Sequence, residues 1–422
     1  NKTTKSYFNY ITKNISTKED PKSKEFRKRE IDIKSYFKTA LSNSGLSIFP
    51  DLIKGVKKTS NKTHITEPII KGILRAKHGI FVNKDGTTRY DMIELPITHF
   101  KPKEIGTSIE KLIELGYTYD TKGRKLENIN QVLELKPQDQ ILPASLETSD
   151  EPADEVLFRI ANFIDELLIR LYKLPPYYNL KSKKDIIGHL VIGLAPHTSA
   201  GTIGRIIGFT KTQGMFSHPL FHAAMRRNCD GDEACVVLLM DAFLNFSRSF
   251  LPDRRGSRTM DAPLVLTSVL VPGEVDDEVH GMDIVWSYPL ELYESAALYK
   301  NPWDVEVKQI SQTLDTYEQY EEMGYTHEIS DINKGVRCSA YKTLPTMQDK
   351  LFGQMDLAEK IVAVEPSDVA ELVINRHFLK DIKGNLRKFS RQQFRCVKCN
   401  EKYRRPPLRG KCIECNGKII FT

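Results

Sequence analysis

The stretch "IIGHLVIGLAPHTSAGTIGRIIGFTKTQG" (186–214) decides the fold. Its β-branched residues favour strands, and its frequent glycines permit bulges and close backbone approach. Short, tightly curved strands of this kind suit a small closed barrel better than an open sheet. The apolar run that follows, 234–247, reads as a helix buried nearly all round against that barrel.

Between them lies "HAAMRRNCDGDEACVVLLMDAFLNF" (222–246), which sets Asp230 and Asp232 one glycine apart at the mouth of the apolar run. Two carboxylates so placed repel unless they are solvated or share a cation. Gly231 lets the chain bend so that both side chains converge, where strand alternation would point them apart. Asn228 adds a neutral oxygen, and an all-oxygen donor set suits Mg²⁺. Arg226 and Arg227 bring positive charge to the same place. An EF-hand is excluded, because its further ligands and terminal glutamate are missing at the required spacing. Two readings stand on these residues alone: a solvated surface turn, or a Mg²⁺ site for phosphoryl or nucleotidyl transfer.

The chain of 422 residues carries a net charge of +7, distributed unevenly. Residues 1–62 hold fifteen Lys and Arg against six Asp and Glu, and residues 376–418 hold fourteen against three. The middle is therefore acidic. Basic ends around an acidic centre suit a polyanionic partner held about a metal-bearing core. A mean hydropathy of −0.39 and the lack of a long apolar run argue against a membrane span. The first residue is Asn1, so a fragment or processed piece is expected.

Seven cysteines, an odd number, argue against a disulfide framework and for a cytoplasmic address. Four of them form "CVKC…CIEC", a C-x2-C-x12-C-x2-C pattern at Cys396, Cys399, Cys412 and Cys415. Paired knuckles at this spacing converge tetrahedrally on Zn²⁺, and four sulfurs leave no position open for substrate, so the zinc is structural. Cys229, Cys235 and Cys338 read as buried reduced thiols.

The remaining organisation follows from turn and period signals. Residues 1–30 read as a basic lead-in and 31–135 as an α/β segment. The latter holds a helix over 31–43, a hairpin around Asp85-Gly86 and a short helix closed by Gly116. Residues 136–155 read as a linker or insertion. Residues 156–300 form the barrel region, opened by an amphipathic helix with apolar residues from Val156 to Leu171. "APLVLTSVLV" (262–271) reads as a buried strand and Trp286 as core. Residues 301–390 read as mainly helical, over 305–322 and 351–375, and 391–422 as the ribbon. The acidic cluster Glu274, Asp276, Asp277, Glu278 and His280 reads as surface.

Several long motifs in fixed order resemble the large subunit of the archaeal D-family DNA polymerases. They are "RKREIDIKSYFKTAL" (27–41), "LVIGLAPHTSAGTIGRIIGF" (190–209), "HPLFHAAMRRNCDGDE" (218–233), "FLPDRRGSRTMDAPLVLT" (250–267), "EVDDEVHGMDIV" (274–285), "YKTLPTMQDK" (341–350) and "GNLRKFSRQQFRCVKCNEKYRR" (384–405). The resemblance covers nearly the whole chain. It implies an α+β fold: a double-psi β-barrel catalytic core, as in the multisubunit RNA polymerases, with helical insertions, a clamp-like helical region and a C-terminal zinc ribbon. It implies that Asn228, Asp230 and Asp232 are catalytic, with the two aspartates binding Mg²⁺. His197, Thr198, Arg226, Arg227, Arg254 and Arg255 become candidates to contact DNA or nucleotide. The activity implied is two-Mg²⁺ addition of dNTPs to a primer 3′-hydroxyl, with primer-template, an exonuclease small subunit and a sliding clamp as partners. A second barrel carrying catalytic lysines is expected upstream of Asn1. One departure is Ala234, where the family usually has a further acid. The competing readings are an RNA polymerase-like nucleotidyltransferase and a non-catalytic zinc-ribbon scaffold.

Overall fold

The glycine-rich stretch folds into two strands, β3 (Leu190–Leu194) and β4 (Ala200–Thr210), paired antiparallel from Leu190↔Arg205 to Leu194↔Gly201. They belong to a six-strand barrel with β1 (Tyr90–Pro96), β2 (Asp139–Pro143), β5 (Met215–Ser217) and β6 (Glu233–Leu238). The circuit runs β4-β2-β5-β1-β6-β3 and closes by the β3–β4 pairing, so no edge remains within it. Two of its pairings are parallel, β2 with β4 and β1 with β5. A register shift between Gln140 and Ile141 supplies curvature. The edge strand β7 (Val265–Thr267) adds in parallel to the start of β4.

This computed structural model describes residues 32–55, 67–83, 85–147, 150–246, 264–326, 330–335, 337 and 344–421. It also gives the backbone of 7–9, 14–16, 251–252 and 259–260. Within the basic lead-in, Tyr7–Asn9 and Asn14–Ser16 pair antiparallel.

Side chains alternate along every barrel strand. Met92, Leu142, Val191, Ile206, Met215 and Val236, one from each strand, join a single core cluster. The opposite faces serve two others, through Ile141, Ile207 and Phe216 in one and Ile192, Cys235 and Val237 in the other. Each fully buried side chain of this size contributes roughly 1.5–3 kcal/mol. Helix α1 (Ala153–Leu167) packs on the first cluster through Leu157, Ile160, Phe163 and Ile164, as its period predicts. Helix α2 (Pro219–Ala224) lies against β3 because Gly193 has no side chain; a Cβ there would come within 2.6 Å of the Phe221 ring.

Several local expectations are corrected. The apolar run 234–247 opens as strand β6, and only Leu239–Asn245 is helical. A strand buried on both faces and a buried helix look alike in sequence, and Val236 and Val237 favour the strand. Within 136–155, Asp139–Pro143 is the fully buried strand β2. Its leading aspartate is tolerated because Arg205 and the Tyr117 hydroxyl satisfy it at 2.6–2.8 Å. The Asp85-Gly86 turn forms, with Gly86 N–H donating to the Asn83 carbonyl at 3.0 Å and Asn83 N–H to the Thr87 carbonyl at 2.8 Å, but beyond it the second arm, β1, pairs with β6 and β5. Strand β7 is an edge, with Val265 57% exposed, and Trp286 is 53% exposed. Residues 305–322 hold only the short 3₁₀ turns Ile310–Gln312 and Tyr317–Tyr320. The helices at Ile33–Ser44, Ile109–Glu114 and Met347–Lys360 agree with expectation.

The chain divides into two compact units, 1–338 and 339–422. The second holds helices Met347–Lys360, Pro366–Val373 and Leu379–Arg391. A three-stranded ribbon follows, formed by β8 (Phe394–Cys396), β9 (Lys402–Tyr403) and β10 (Ile419–Phe421), with β8 central.

Candidate active site and metal centre

The aspartate loop is built from the turn between α2 and β6. His218 caps α2, its Nδ1 accepting the Leu220 N–H at 3.1 Å, and Pro219 starts the helix without needing a donor. The helix stops where Arg226 takes a left-handed φ of +58°. The Arg227 N–H then donates back to the His222 carbonyl at 3.1 Å. Asn228, Cys229 and Asp230 are exposed, and Asp232 is half-buried as the chain enters β6. Gly231 has a φ of +97° with open space around the Cβ position, so backbone conformation alone demands glycine there. The Asp232 carbonyl accepts the Glu94 N–H at 3.0 Å, which fastens the loop's exit to β1.

Charge around the loop is partly paired. Arg227 Nη1 lies 3.5 Å from Asp232 Oδ2, and its Nη2 lies 3.4 Å from His197 Nδ1. Among the described residues no cation lies within ion-pair distance of Asp230. The structure thus brings His197, Arg227 and Asp232 into one chain of contacts, with Asn228 and Asp230 on the same turn. Thr198 turns its hydroxyl into its own loop, donating to the Ala195 carbonyl at 2.9 Å, which favours a structural role. Arg226 is exposed beside the loop. Arg254 and Arg255 lie outside the described residues, as does Cys338.

Two partners escape the sequence reading. Arg89, at the start of β1, holds the His197 loop by donating to the Pro196 carbonyl at 2.8 Å while pairing with Asp85 at 2.5 Å. Glu278 stands near Cys229: partial burial, then the charges of Glu94, Glu278 and Asp230, push that thiol up to about 11. Cys229 is therefore a neutral thiol, though exposed where a buried one was expected. Cys235 is buried as expected, and burial raises its thiol to about 12. Ala234, fully buried on the core face of β6, has no room for an acid in contact with solvent. The only sequence signal for these links was the proximity of "RYDMIELP" to a turn, which does not name its partner strand.

An exposed pair of carboxylates beside an amide oxygen fits a hard cation such as Mg²⁺. Among the described residues, the four ribbon cysteines are the only group of three or more His, Cys, Asp or Glu whose donor atoms lie within 4.8 Å of one another.

The ribbon is a finished donor set. Cys396 Sγ lies 3.4 Å from Cys415 Sγ, and Cys399 Sγ lies 3.5 Å from Cys412 Sγ. Four sulfurs at about 2.3 Å from a tetrahedral Zn²⁺ stand about 3.8 Å apart, so a small outward movement admits the ion. Cys396 and Cys412 are buried. Tyr403 adds a support the cysteine pattern does not announce. Its hydroxyl lies 3.1 Å from Cys412 Sγ and accepts the Ile413 N–H at 3.1 Å. This contact pulls the Cys412 thiol down to about 6, toward the thiolate a metal needs.

No helix among the described residues is long and apolar enough to cross a membrane. Comparison with known proteins places the loop and barrel in a family. The sequence model for the DNA polymerase II large subunit DP2, catalytic domain, matches residues 47–350. The DNA polymerase II large subunit of Archaeoglobus fulgidus is 56% identical over 399 residues, which is 94% of this chain and 34% of that protein. That of Nanoarchaeum equitans is 50% identical over 408 residues, covering 93% and 33%, and that of Pyrococcus furiosus 50% over 404, covering 95% and 31%. The chain spans about a third of the length of these curated relatives. A match over most of the chain, at half identity or more to these three relatives, makes this chain a member of the DNA polymerase II large subunit family, in the region of its catalytic domain.

Proposed function

We propose that this chain supplies the metal-holding part of the active site of an archaeal DNA-directed DNA polymerase, acting in DNA replication. The observation that carries the reading is the turn 226–232, which presents Asp230 and Asp232 at the mouth of barrel strand β6 in a chain of this family. The closed six-strand barrel with its two parallel pairings supports a double-psi architecture, as in RNA polymerases.

Asp230 and Asp232 would hold Mg²⁺, with Asn228 orienting ligands or substrate through its amide. Bound Mg²⁺ supplies activation of the primer 3′-hydroxyl and neutralises charge on the triphosphate. Arg226, Arg227, Arg254 and Arg255 provide positive charge and, with His197, donors for phosphate oxygens. Arg227 has a second duty, since its contact with Asp232 offsets part of the carboxylate repulsion before metal arrives. The ribbon zinc is structural, and the basic segment 376–418 tracks the DNA backbone with little sequence preference. Primer-template, dNTPs, a small exonuclease subunit and a sliding clamp are the partners of this reading, in the cytoplasm. A second barrel, beyond this sequence, completes the site.

The test uses the full-length large subunit assembled with its small subunit, on a primed template with Mg²⁺. Template-directed incorporation of dNTPs well above NTPs is expected. Equal use of NTPs would favour the RNA polymerase-like reading. DNA binding without any incorporation would favour the zinc-ribbon scaffold.

A further inference from the structure

Glu94 and His222 are both wholly inaccessible to solvent, and Glu94 Oε2 lies 2.8 Å from His222 Nδ1. The contact lies off the hydrogen-bond direction, and neither side chain has a hydrogen-bond partner among the described residues. Their 2.8 Å approach joins the two side chains directly. Burying a carboxylate and an imidazole costs several kcal/mol each in general, and an apolar pair would pack as well. A polar pair at such a place asks for a reason beyond stability.

The backbone of the same two residues supplies one. The His222 carbonyl accepts the Arg227 N–H at 3.1 Å where the loop begins, and the Glu94 N–H donates to the Asp232 carbonyl at 3.0 Å where it ends. Between these anchors, among the described residues, no backbone hydrogen bond involves Asn228, Cys229, Asp230 or Gly231. By its backbone the loop hangs from two points, one on α2 and one on β1, with long side-chain contacts from Cys229 Sγ to the Pro219 carbonyl at 3.9 Å and from Arg227 to Asp232 at 3.5 Å. The two side chains join those points through the core.

We propose that the buried Glu94–His222 pair is a tie that fixes the separation of the loop's two ends, and so positions Asp230 against Asp232 for metal. This rests on the function proposed above. Glu94 and His222 are positioning residues; they touch neither substrate nor metal.

The test separates positioning from stability. In the full-length polymerase with its small subunit, both residues are replaced together, Glu94→Leu with His222→Leu. Replacing a buried ion pair by apolar residues is often neutral for folding. The expected double variant melts with the parent and keeps amide protection in 190–210. The amides that anchor the loop's ends, those of Arg227 and of residue 94, exchange at least about tenfold faster, because the ends open locally. Its kcat falls about 10- to 100-fold with KM for dNTP within about threefold, as misplacement of reacting groups predicts. Parental loop exchange and parental kcat would overturn the proposal, as would protection lost equally through 190–238. If the double variant does not fold, Glu94→Gln carries the same readouts: faster exchange confined to the amides of Arg227 and of residue 94 supports the tie, and unchanged exchange overturns it. Loop exchange is read without catalysis. A parent enzyme that fails to extend primers would thus refute the polymerase reading, while the exchange result would still decide the tie.

Discussion

The four-cysteine ribbon, which could hold a metal, and the aspartate loop, proposed to hold one, are assembled in opposite ways. The ribbon's four sulfurs come from twenty consecutive residues and already stand within 4.8 Å of one another. Its geometry is local, closed and aided only by neighbours such as Tyr403. The loop offers two acids on one turn, open to solvent, fastened at its ends by β1 and α2. A structural ion needs its full shell from the protein, whereas a catalytic one keeps positions for substrate oxygens. Incompleteness at the loop is thus what the proposed reaction centre requires.

The largest expected effect tests the closed site. Binding energies of about 10–16 kcal/mol for structural zinc are folding energies, so the ribbon should not survive without its ion. Chelation, or Cys396→Ser, should release one zinc and abolish amide protection in 394–421 while the barrel melts as before. A ribbon that keeps its protection after chelation would break the contrast between the two sites.

A smaller effect probes the barrel side, where titratable groups are buried and kept neutral. Burial lowers His99 to about 4. Burial, with His222 and His99 nearby, lowers His218 to about 3. Unfolded histidines take up a proton near pH 6.5 while these do not, so their contribution is fully present above pH 6.5 and is lost as pH falls toward 4. For His99 the loss amounts to roughly 3 kcal/mol. Asp241, raised to about 6 by burial, acts in the opposite sense, so the histidine term is read as a difference between variants. The barrel unfolding free energy should fall less steeply from pH 6.5 to 4 in His99→Phe than in the parent. Equal slopes would show that His99 titrates normally.

The same contrast explains what was legible in the sequence. The cysteine spacing names its own partners, and so does the helix period of 153–167, because both are local patterns. The glycine-rich stretch announced curved strands for the same reason. What sequence did not show depends on remote pairing. Strand β2 begins with an aspartate whose tolerance rests on Arg205, sixty-six residues away. Strand β6 is apolar on both faces because two clusters claim it, which no period reveals. The loop's acids could be named, but the contribution of Glu94 to their placement could not, since β1 lies more than a hundred residues upstream.

The central claim, that Asp230 and Asp232 form a metal centre for nucleotidyl transfer, is tested most directly by primer extension with Asp230→Ala in the full-length polymerase with its small subunit, with melting measured alongside with and without Mg²⁺. Asp230 is exposed and unpaired among the described residues, so its loss should leave the fold and DNA binding intact. Extension should fall to background, and any Mg²⁺-induced rise in melting temperature should disappear. Full extension by Asp230→Ala would contradict the account.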